Sequence, residues 1–379
     1  MEADHAWLLN EAAYSLHALG RLIEALEPMR AGLESAVRLE DWKNAAVCAG
    51  NLSELELNLG QLTGEKSGAV HDAEQAVAFA DRSGDAAQAM VNRTTLADAL
   101  HQAGRRTDAL ARFREAETMQ AEWQPGYPLL YSLGGFRYCD LLLADAERAA
   151  WQVVNRAGSA GGGAAGMGAR GADSALADAC RDVQQRAAAA LDIVLGGSRN
   201  LLDIALNHLT LGRAGLYRAL LEPGRVGRGA NPAAAQNRAT NGGSHPAALP
   251  VVPGHFDLAP PRSEIEQAVD GLRRAGQQQY IPLGLLSRAW LRCLSADSDG
   301  AHADLDLAWE IAERGPMPLF LADVRLHRAR LFHAVEPYPW TSWRDDLAEA
   351  RRLIEKHGYG RRLEELADAE EAAKNWRNH

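Results

Sequence analysis

The hydrophobic pattern of this chain is helical from end to end. Apolar residues recur every three or four positions, the spacing that places them on one face of a helix. The alternation of β-branched residues that is typical of strands never lasts more than a few positions. In the N-terminal part the pattern predicts three pairs of helices, over residues 4–19 and 22–38, 41–59 and 67–83, and 85–103 and 106–121.

One unit recurs within this pattern: an apolar helix ends at a glycine turn, and a second helix follows. Gly20, Gly60 and Gly104 mark the turns, which lie 40 and then 44 residues apart. Repeats of this length are typical of stacked helical hairpins, because a single hairpin cannot bury its own apolar face. We therefore expect an all-α solenoid of six or seven hairpins.

The same alternation of amphipathic helices and glycine turns is found in the C-terminal part. Gly276, Gly315 and Gly358 each follow an amphipathic segment, at the position where glycine commonly ends a helix. A more polar last segment would cover the exposed end of the stack. The predicted helices here are residues 263–276, 281–294, 301–315, 319–332 and 345–358.

Two stretches interrupt the helical pattern and are predicted to be flexible loops. Residues 157–172 are mostly Gly and Ala, and residues 222–261 are rich in Gly, Pro and Asn. They divide the chain into N-terminal repeats over 1–156, middle helices over 173–221, and C-terminal repeats with a capping helix over 262–379.

The formal charge of -10 and the distribution of arginine exclude a nucleic acid as the main partner, because that partner requires clustered Lys and Arg. Arginines alternate with acids in residues 323–330 and 345–365, a pattern typical of solvated helix faces. The four scattered cysteines are expected to be buried thiols. No apolar run is long enough to span a membrane, and the acidic N-terminus is unlike a signal peptide, so we expect a cytoplasmic location.

No motif in the chain indicates catalysis, a metal or a cofactor. Residues 60–68, GQLTGEKSG, resemble a phosphate-binding loop, but Glu65 stands before Lys66 and a helix precedes the segment in place of a strand. No His or Cys pair has metal-ligand spacing. We expect a protein that is not an enzyme, although a helical hydrolase without a linear motif stays open.

The third repeat resembles the tetratricopeptide repeat family, and the first two repeats and the later hairpins match it more loosely. The chain is also similar to divergent repeat regions of bacterial proteins that carry Toll/interleukin-receptor-like or nucleotide-binding signalling domains, in residues 129–143 and 202–214. Both resemblances imply a scaffold or signalling adaptor. The residues of the third repeat that carry the first resemblance are Leu96, Ala97, Leu100, Gly104, Ala109, Phe113 and Ala116.

The tetratricopeptide alignment implies a concave face that binds a peptide or helix of a protein partner. Its Asn, Gln and His side chains could bond a peptide backbone, and its aromatic residues could anchor side chains. A solvated face, or packing of the aromatic residues under a neighbouring helix, is the plainer alternative. A second hypothesis is a module that senses a small molecule held between repeats. The predicted binding residues are Trp7, Asn10, Tyr14, His17, Thr94, Asp98, His101 and Gln102.

Overall fold

The computed structural model describes residues 2–64, 67–157, 167–222 and 256–376, and in these residues it contains helices and no strand. The all-α prediction is therefore confirmed. Two short 3-10 helices, η1 (Gln278–Tyr280) and η2 (Gly360–Arg362), accompany the α-helices. The α-helices are α1 (Glu2–Ala18), α2 (Leu22–Arg38), α3 (Trp42–Asn58), α4 (Ala69–Ser83), α5 (Ala86–Gln102), α6 (Arg106–Trp123), α7 (Ser132–Ala157), α8 (Met167–Gly196), α9 (Leu201–Leu221), α10 (Ala259–Ala275), α11 (Ile281–Leu294), α12 (Ser298–Arg314), α13 (Pro318–Phe332), α14 (Trp343–His357) and α15 (Leu363–Ala373).

Short polar side chains fix the starts of several helices. Each accepts a hydrogen bond from a backbone N–H of the first turn, which would otherwise have no partner inside the helix. These capping residues are Asp41 before α3, Asp85 before α5, Asn200 before α9, Asp297 before α12 and Ser342 before α14.

The helices pair into hairpins, and the hairpins stack in chain order. α1 packs on α2, α3 on α4 and α5 on α6, and the pairing continues through α13 and α14. The second helix of each hairpin also packs on the first helix of the next, from α2 on α3 to α12 on α13. The first helices form an inner layer in which neighbours touch, because α3 contacts α5 and α5 contacts α7. This arrangement is an α-solenoid, as predicted.

The predicted turn glycines lie in the left-handed region of backbone conformation. The φ angles of Gly20, Gly60 and Gly104 are 76°, 70° and 80°, values that side chains with a Cβ rarely adopt. Each backbone N–H in these turns continues the hydrogen bonding of the preceding helix; that of Gly104, for example, donates to the carbonyl of His101 at 2.9 Å. Glycine therefore lets one helix end and the next begin within a few residues.

The solenoid curves until its C-terminal part meets the second and third hairpins. His357 Nδ1 lies 2.9 Å from the carbonyl oxygen of Gly60. A Cβ on Gly360 would lie 2.3 Å from the carbonyl oxygen of Ala103, so the two backbones touch only because Gly360 has no side chain. η2 thus contacts α5, and α15 packs on α7. The inner layer becomes a closed wall around a central space.

The two predicted insertions are seen only at their ends. Residues 158–166 and 223–255 lie outside the described residues. So do Glu65 and Lys66, which belong to the segment 60–68 that resembles a phosphate-binding loop. Helix α8 begins at Met167, earlier than the start near Asp173 that the sequence indicated. Helix α10 begins at Ala259, inside the second predicted insertion.

Large aromatic side chains fill the centre of the core. Trp151 of α7 stacks on Trp290 of α11 with ring centroids 3.6 Å apart, and His327 of α13 meets the edge of Trp151 at 4.9 Å. All four cysteines are buried and unpaired, as expected from their spacing. Gly134 of α7 lies against Thr94 of α5, where an added Cβ would come within 3.2 Å of the Thr94 side chain.

Candidate functional site

The central space contains a recess, which we call the inner recess, on the inner face of the solenoid. Its volume is about 110 Å³, and its walls come from segments far apart in the chain. Half-buried side chains such as Asn58 and Gln102 form its rim, so the recess communicates with solvent. The lining residues are Glu54, Leu57, Asn58, Asp98, Gln102, Leu133, Phe136, Arg137, Asp140, Arg213, Gln279, Tyr280, Leu283, Leu319, Phe320, Asp323, Tyr359, Arg361 and Arg362.

One wall of the recess is a buried network of charged side chains. Arg213 of α9 donates to Asp140 at 2.7 Å and to Glu147 at 3.1 Å. Arg361 of η2 pairs with the same Asp140 and donates to Glu147 at 3.0 Å. Arg362 donates to Glu147 at 3.1 Å. The network therefore joins α7, α9 and η2.

Arginine charges dominate the protonation of these acids. Burial alone would raise the pKa of Asp140, but the charges of Arg361 and Arg213 outweigh it and hold that pKa well below its usual value. Burial likewise opposes ionisation of Glu147, and Arg362 with Arg213 and Arg361 lowers its pKa. Both carboxyl groups are therefore ionised, and each faces guanidinium groups that compensate its charge.

A further arginine, Arg137, joins the N-terminal hairpins to the recess. Arg137 of α7 pairs with Glu54 of α3 at 2.8 Å and with Asp98 of α5 at 3.2 Å, and it donates to Thr95 at 3.2 Å. Burial would lower the pKa of Arg137, but the charges of Glu54 and Asp98 raise it. The guanidinium is thus permanently charged, and each of its three nitrogens contacts a neighbouring side chain.

Two buried polar atoms of the recess have no hydrogen-bond partner among the described residues: Oε1 of Gln279 and Nε of Arg361. Gln279 is 6 % exposed, and its other amide atom donates to Gln277 at 3.2 Å. The side chain of Arg361 is 7 % exposed, and its remaining nitrogens donate to Asp140 and Glu147. Unpaired buried polar atoms also occur outside the recess, for example Nε1 of Trp151 and Nε of Arg330, so this pair does not by itself mark a binding site.

Two predicted binding residues of α1 are buried between helices. Asn10 accepts a hydrogen bond from Asn51 of α3 at 3.2 Å. His17 lies 2.9 Å from Nδ2 of Asn58, and burial lowers its pKa. Both side chains hold the first two hairpins together.

The two predicted aromatic residues of α1 are exposed. Trp7 is 52 % exposed and Tyr14 is 40 % exposed. Tyr14 lies close to Gln277, which stands just before η1, and partial burial together with the charge of Glu54 raises the pKa of Tyr14. Tyr14 therefore lies near the recess without lining it.

The predicted residues of α5 divide into two groups. Asp98 and Gln102 line the inner recess, and Gln102 donates to Asp98 at 3.0 Å. Thr94 and His101 are buried. His101 Nε2 lies 3.6 Å from Asp140, and burial together with the charge of Arg361 lowers its pKa.

The sequence interpretation missed the arginines of the recess. It assigned residues 323–330 and 345–365 to solvated faces, and this is wrong for Asp323, Arg330 and Arg362, which are buried. It is right for Arg352, which is exposed. The available signal was position: Arg362 and Glu365 fall among apolar residues that face the core, whereas Arg352 does not.

Known proteins offer little comparison. No protein-family model matches the sequence, and no curated protein matches it. Among solved structures, the crystal structure of a Rap protein complexed with competence and sporulation factor matches with 10 % sequence identity and a TM-score of 0.38, over 98 % of this chain and 73 % of that one. A likeness this distant does not bear on function.

Two kinds of feature are absent from the described part of the chain. It has no helix long and apolar enough to cross a membrane. Its His, Cys, Asp and Glu side chains form no group of three or more that could hold a metal ion.

Proposed function

We propose that this protein binds an extended peptide segment of a partner protein along the inner face of the solenoid, without chemistry and without a cofactor. The observation that carries the proposal is the inner recess, to which inner helices and turns from Glu54 to Arg362 all contribute. Its rim combines amide groups, as in Asn58 and Gln102, with apolar side chains such as Leu133 and Phe320. This mixture matches a peptide, which presents backbone polar groups and side chains together.

The size of the recess favours a peptide over a whole small molecule. Pockets for drug-sized ligands have volumes of about 300–1,000 Å³. The recess, at about 110 Å³, lies below this range. The remainder of such a ligand would lie outside the recess, along the inner face, as an extended chain does.

A sensor of a small molecule is the second candidate. The convergence of charged side chains, among them Arg213, Arg361 and Asp323, on one recess favours it. The ligand would be a compact molecule of few heavy atoms. Its binding would bring together hairpins from both ends of the array.

The test is selection of peptides from a displayed random library on the immobilised protein, followed by calorimetry on the enriched sequences. Gln102→Ala removes a rim amide whose only described side-chain bond is to Asp98, and should weaken binding by about twofold to tenfold, the value of one hydrogen bond. The matched control is Gln267→Ala on the outer helix α10, where the side chain is exposed and bonds only Ser263. Tyr14→Ala tests the face indicated by the sequence.

The outcomes separate the candidates. Enriched peptides that bind Gln267→Ala normally and Gln102→Ala weakly support the inner face. Peptides that bind both variants equally refute this site. If no peptide is enriched and native mass spectrometry of the purified protein shows a retained small molecule, the sensor becomes the better interpretation.

Three finer expectations from the sequence belong to the same proposal. They are membership of the tetratricopeptide repeat family, a bacterial signalling adaptor role, and a cytoplasmic location. The repeated helical hairpins support the first. The others stay predictions.

A further inference from the structure

We infer that a second groove, separate from the inner recess, binds an acidic segment of a partner protein that carries bulky aliphatic side chains. This groove, which we call the turn groove, lies between the turn that joins α1 to α2 and the turn that joins α12 to α13. The two sets of lining residues share no member, so the inference does not rest on the proposed function.

The turn groove forms where two turns from distant parts of the chain touch. An added Cβ on Gly315 would lie 3.5 Å from the carbonyl oxygen of Gly20, and one on Gly20 would lie 3.3 Å from the Cβ of Gln278. Leu22 and Ile311, which also line the groove, are buried. The groove is therefore formed by packed backbone and core side chains, and a ligand does not have to order it on binding.

The rim of the turn groove exposes two large aliphatic side chains. Leu19 is 63 % exposed and Ile23 is 67 % exposed, the two highest values among the large hydrophobic residues of the described chain. Single exposed apolar residues are common on protein surfaces, whereas apolar residues grouped on one concave surface are typical of interaction sites. The aliphatic side chains of a partner would cover both residues and remove their apolar surface from water.

The groove also carries two exposed arginines. The side chain of Arg21 is 55 % exposed and pairs with Glu24, which lines the same groove. The side chain of Arg314 is 65 % exposed, and its contact with Glu310 is 3.9 Å long, beyond hydrogen-bonding distance. The charged lining residues are thus two arginines and one glutamate, a surplus of one positive charge on a chain whose net charge is -10.

These charges favour an acidic partner over a basic one and over a second copy of the chain. A carboxylate beside either arginine gains a charge-assisted hydrogen bond, whereas a basic segment meets like charges at the rim. In a two-fold symmetric contact between copies the same patch meets itself, so the positive surplus of one groove would face that of the other. The net negative charge of each copy opposes such a contact as well.

The experiment selects peptides from a displayed library of random 12-residue sequences on the immobilised full chain and measures binding of the enriched peptides by fluorescence anisotropy. The groove variant is Leu19→Ser/Ile23→Ser, whose folding is checked by circular dichroism. The matched control is Leu195→Ser/Leu201→Ser, because these leucines are 45 % and 41 % exposed and flank the turn between α8 and α9. We expect peptides with Leu, Ile or Val beside Asp or Glu to bind the groove variant about tenfold more weakly and the control unchanged.

Arg314→Glu tests the charge requirement at an exposed position, and it also serves if the groove variant does not fold. It should weaken binding of the acidic peptides by about threefold to tenfold at low salt, and the difference from the wild type should shrink as the salt concentration rises. Arg352→Glu makes the same change of net charge at a side chain that is 55 % exposed and lies outside the groove. It should alter binding by less than about twofold.

The outcomes separate this inference from the proposed function. If no enriched peptide binds the groove variant or Arg314→Glu more weakly than the wild type, the inference is overturned. Peptides that depend on Gln102 and not on Leu19 and Ile23 then support the proposed function alone. Basic peptides that require the groove also overturn the acidic assignment. So does a dimer in sedimentation velocity that the groove variant abolishes, because the groove is then an interface between copies.

Discussion

Replacement of Arg362 by Ala should destabilise the protein more than any exposed arginine replacement. Arg362 donates to Asp323 at 2.8 Å and to Glu147 at 3.1 Å, and it also pairs with Glu365. All of these side chains are buried. Arg362→Ala leaves three carboxylates with fewer counter-charges inside the protein. Removal of one partner from a buried ion pair costs about 3–5 kcal/mol, a large part of a typical stability of 5–15 kcal/mol.

The assay is equilibrium unfolding in urea, followed by far-ultraviolet circular dichroism and by tryptophan fluorescence. The matched control is Arg352→Ala, since Arg352 is 55 % exposed and pairs with Glu349 one helical turn away at 2.6 Å. Exposed pairs of this kind contribute little to stability, because solvent screens them. If the two variants lose the same free energy of unfolding, the buried network does not stabilise the closed solenoid and the reasoning is refuted.

The same network predicts the response to acid. The folded-state pKa values of Asp140 and Glu147 lie below those of the unfolded chain, so their contribution is present above about pH 4 and is lost as the pH falls below it. Arg362→Ala removes the charge that most lowers the pKa of Glu147. Part of the acid-dependent contribution is then already missing, so the free energy of unfolding of the variant should fall less than that of the wild type as the pH drops below about 4, which urea unfolding at several pH values will show.

Two further predictions concern other parts of the array. Burial and the neighbouring carboxyl group of Asp72 raise the pKa of Glu56 to about 8, so the wild type loses stability as the pH rises from the unfolded value of about 4.5 towards 8. In thermal unfolding, Glu56→Gln should therefore gain stability relative to the wild type as the pH rises from about 5 to about 9. A constant difference would contradict this. Gly360→Ala would place a Cβ 2.3 Å from the carbonyl oxygen of Ala103 and should lower the melting temperature. The control Gly196→Ala, where the added Cβ would lie in open space, should not. Equal melting temperatures for the two variants would mean that the C-terminal part does not close on the third hairpin.

The helices and their pairing could be predicted from the sequence because the signals are local. Predicted and observed bounds of the first six helices agree within a few residues, since apolar period and turn glycines act within one hairpin. The three glycines predicted to end helices of the C-terminal part differ in backbone conformation. Gly276 and Gly358 are left-handed as expected, whereas Gly315 has a φ of -90° and closes its helix without the left-handed turn.

The inner recess could not be predicted in the same way because it depends on curvature. Whether Arg361 meets Asp140, 221 positions earlier in the chain, is decided by small rotations accumulated over several hairpins. Local sequence patterns carry no information on this accumulated rotation, which sets the curvature of the solenoid. The repeat alignment placed Asp98 and Gln102 on the concave face, and both line the inner recess. The same alignment placed Asn10 and His17 on the concave face, whereas these two side chains pack between helices.

Closure of the solenoid ties the recess to the stability of the whole array. The walls of the recess come both from the N-terminal hairpins, through Glu54 and Asp98, and from the C-terminal part, through Arg361 and Arg362. A ligand that contacts both sides would bind the closed form and not an opened one, so its binding free energy would add to that of closure. The buried ion pairs hold this form together at a cost in desolvation. They are therefore best understood as fixing one arrangement of the inner face.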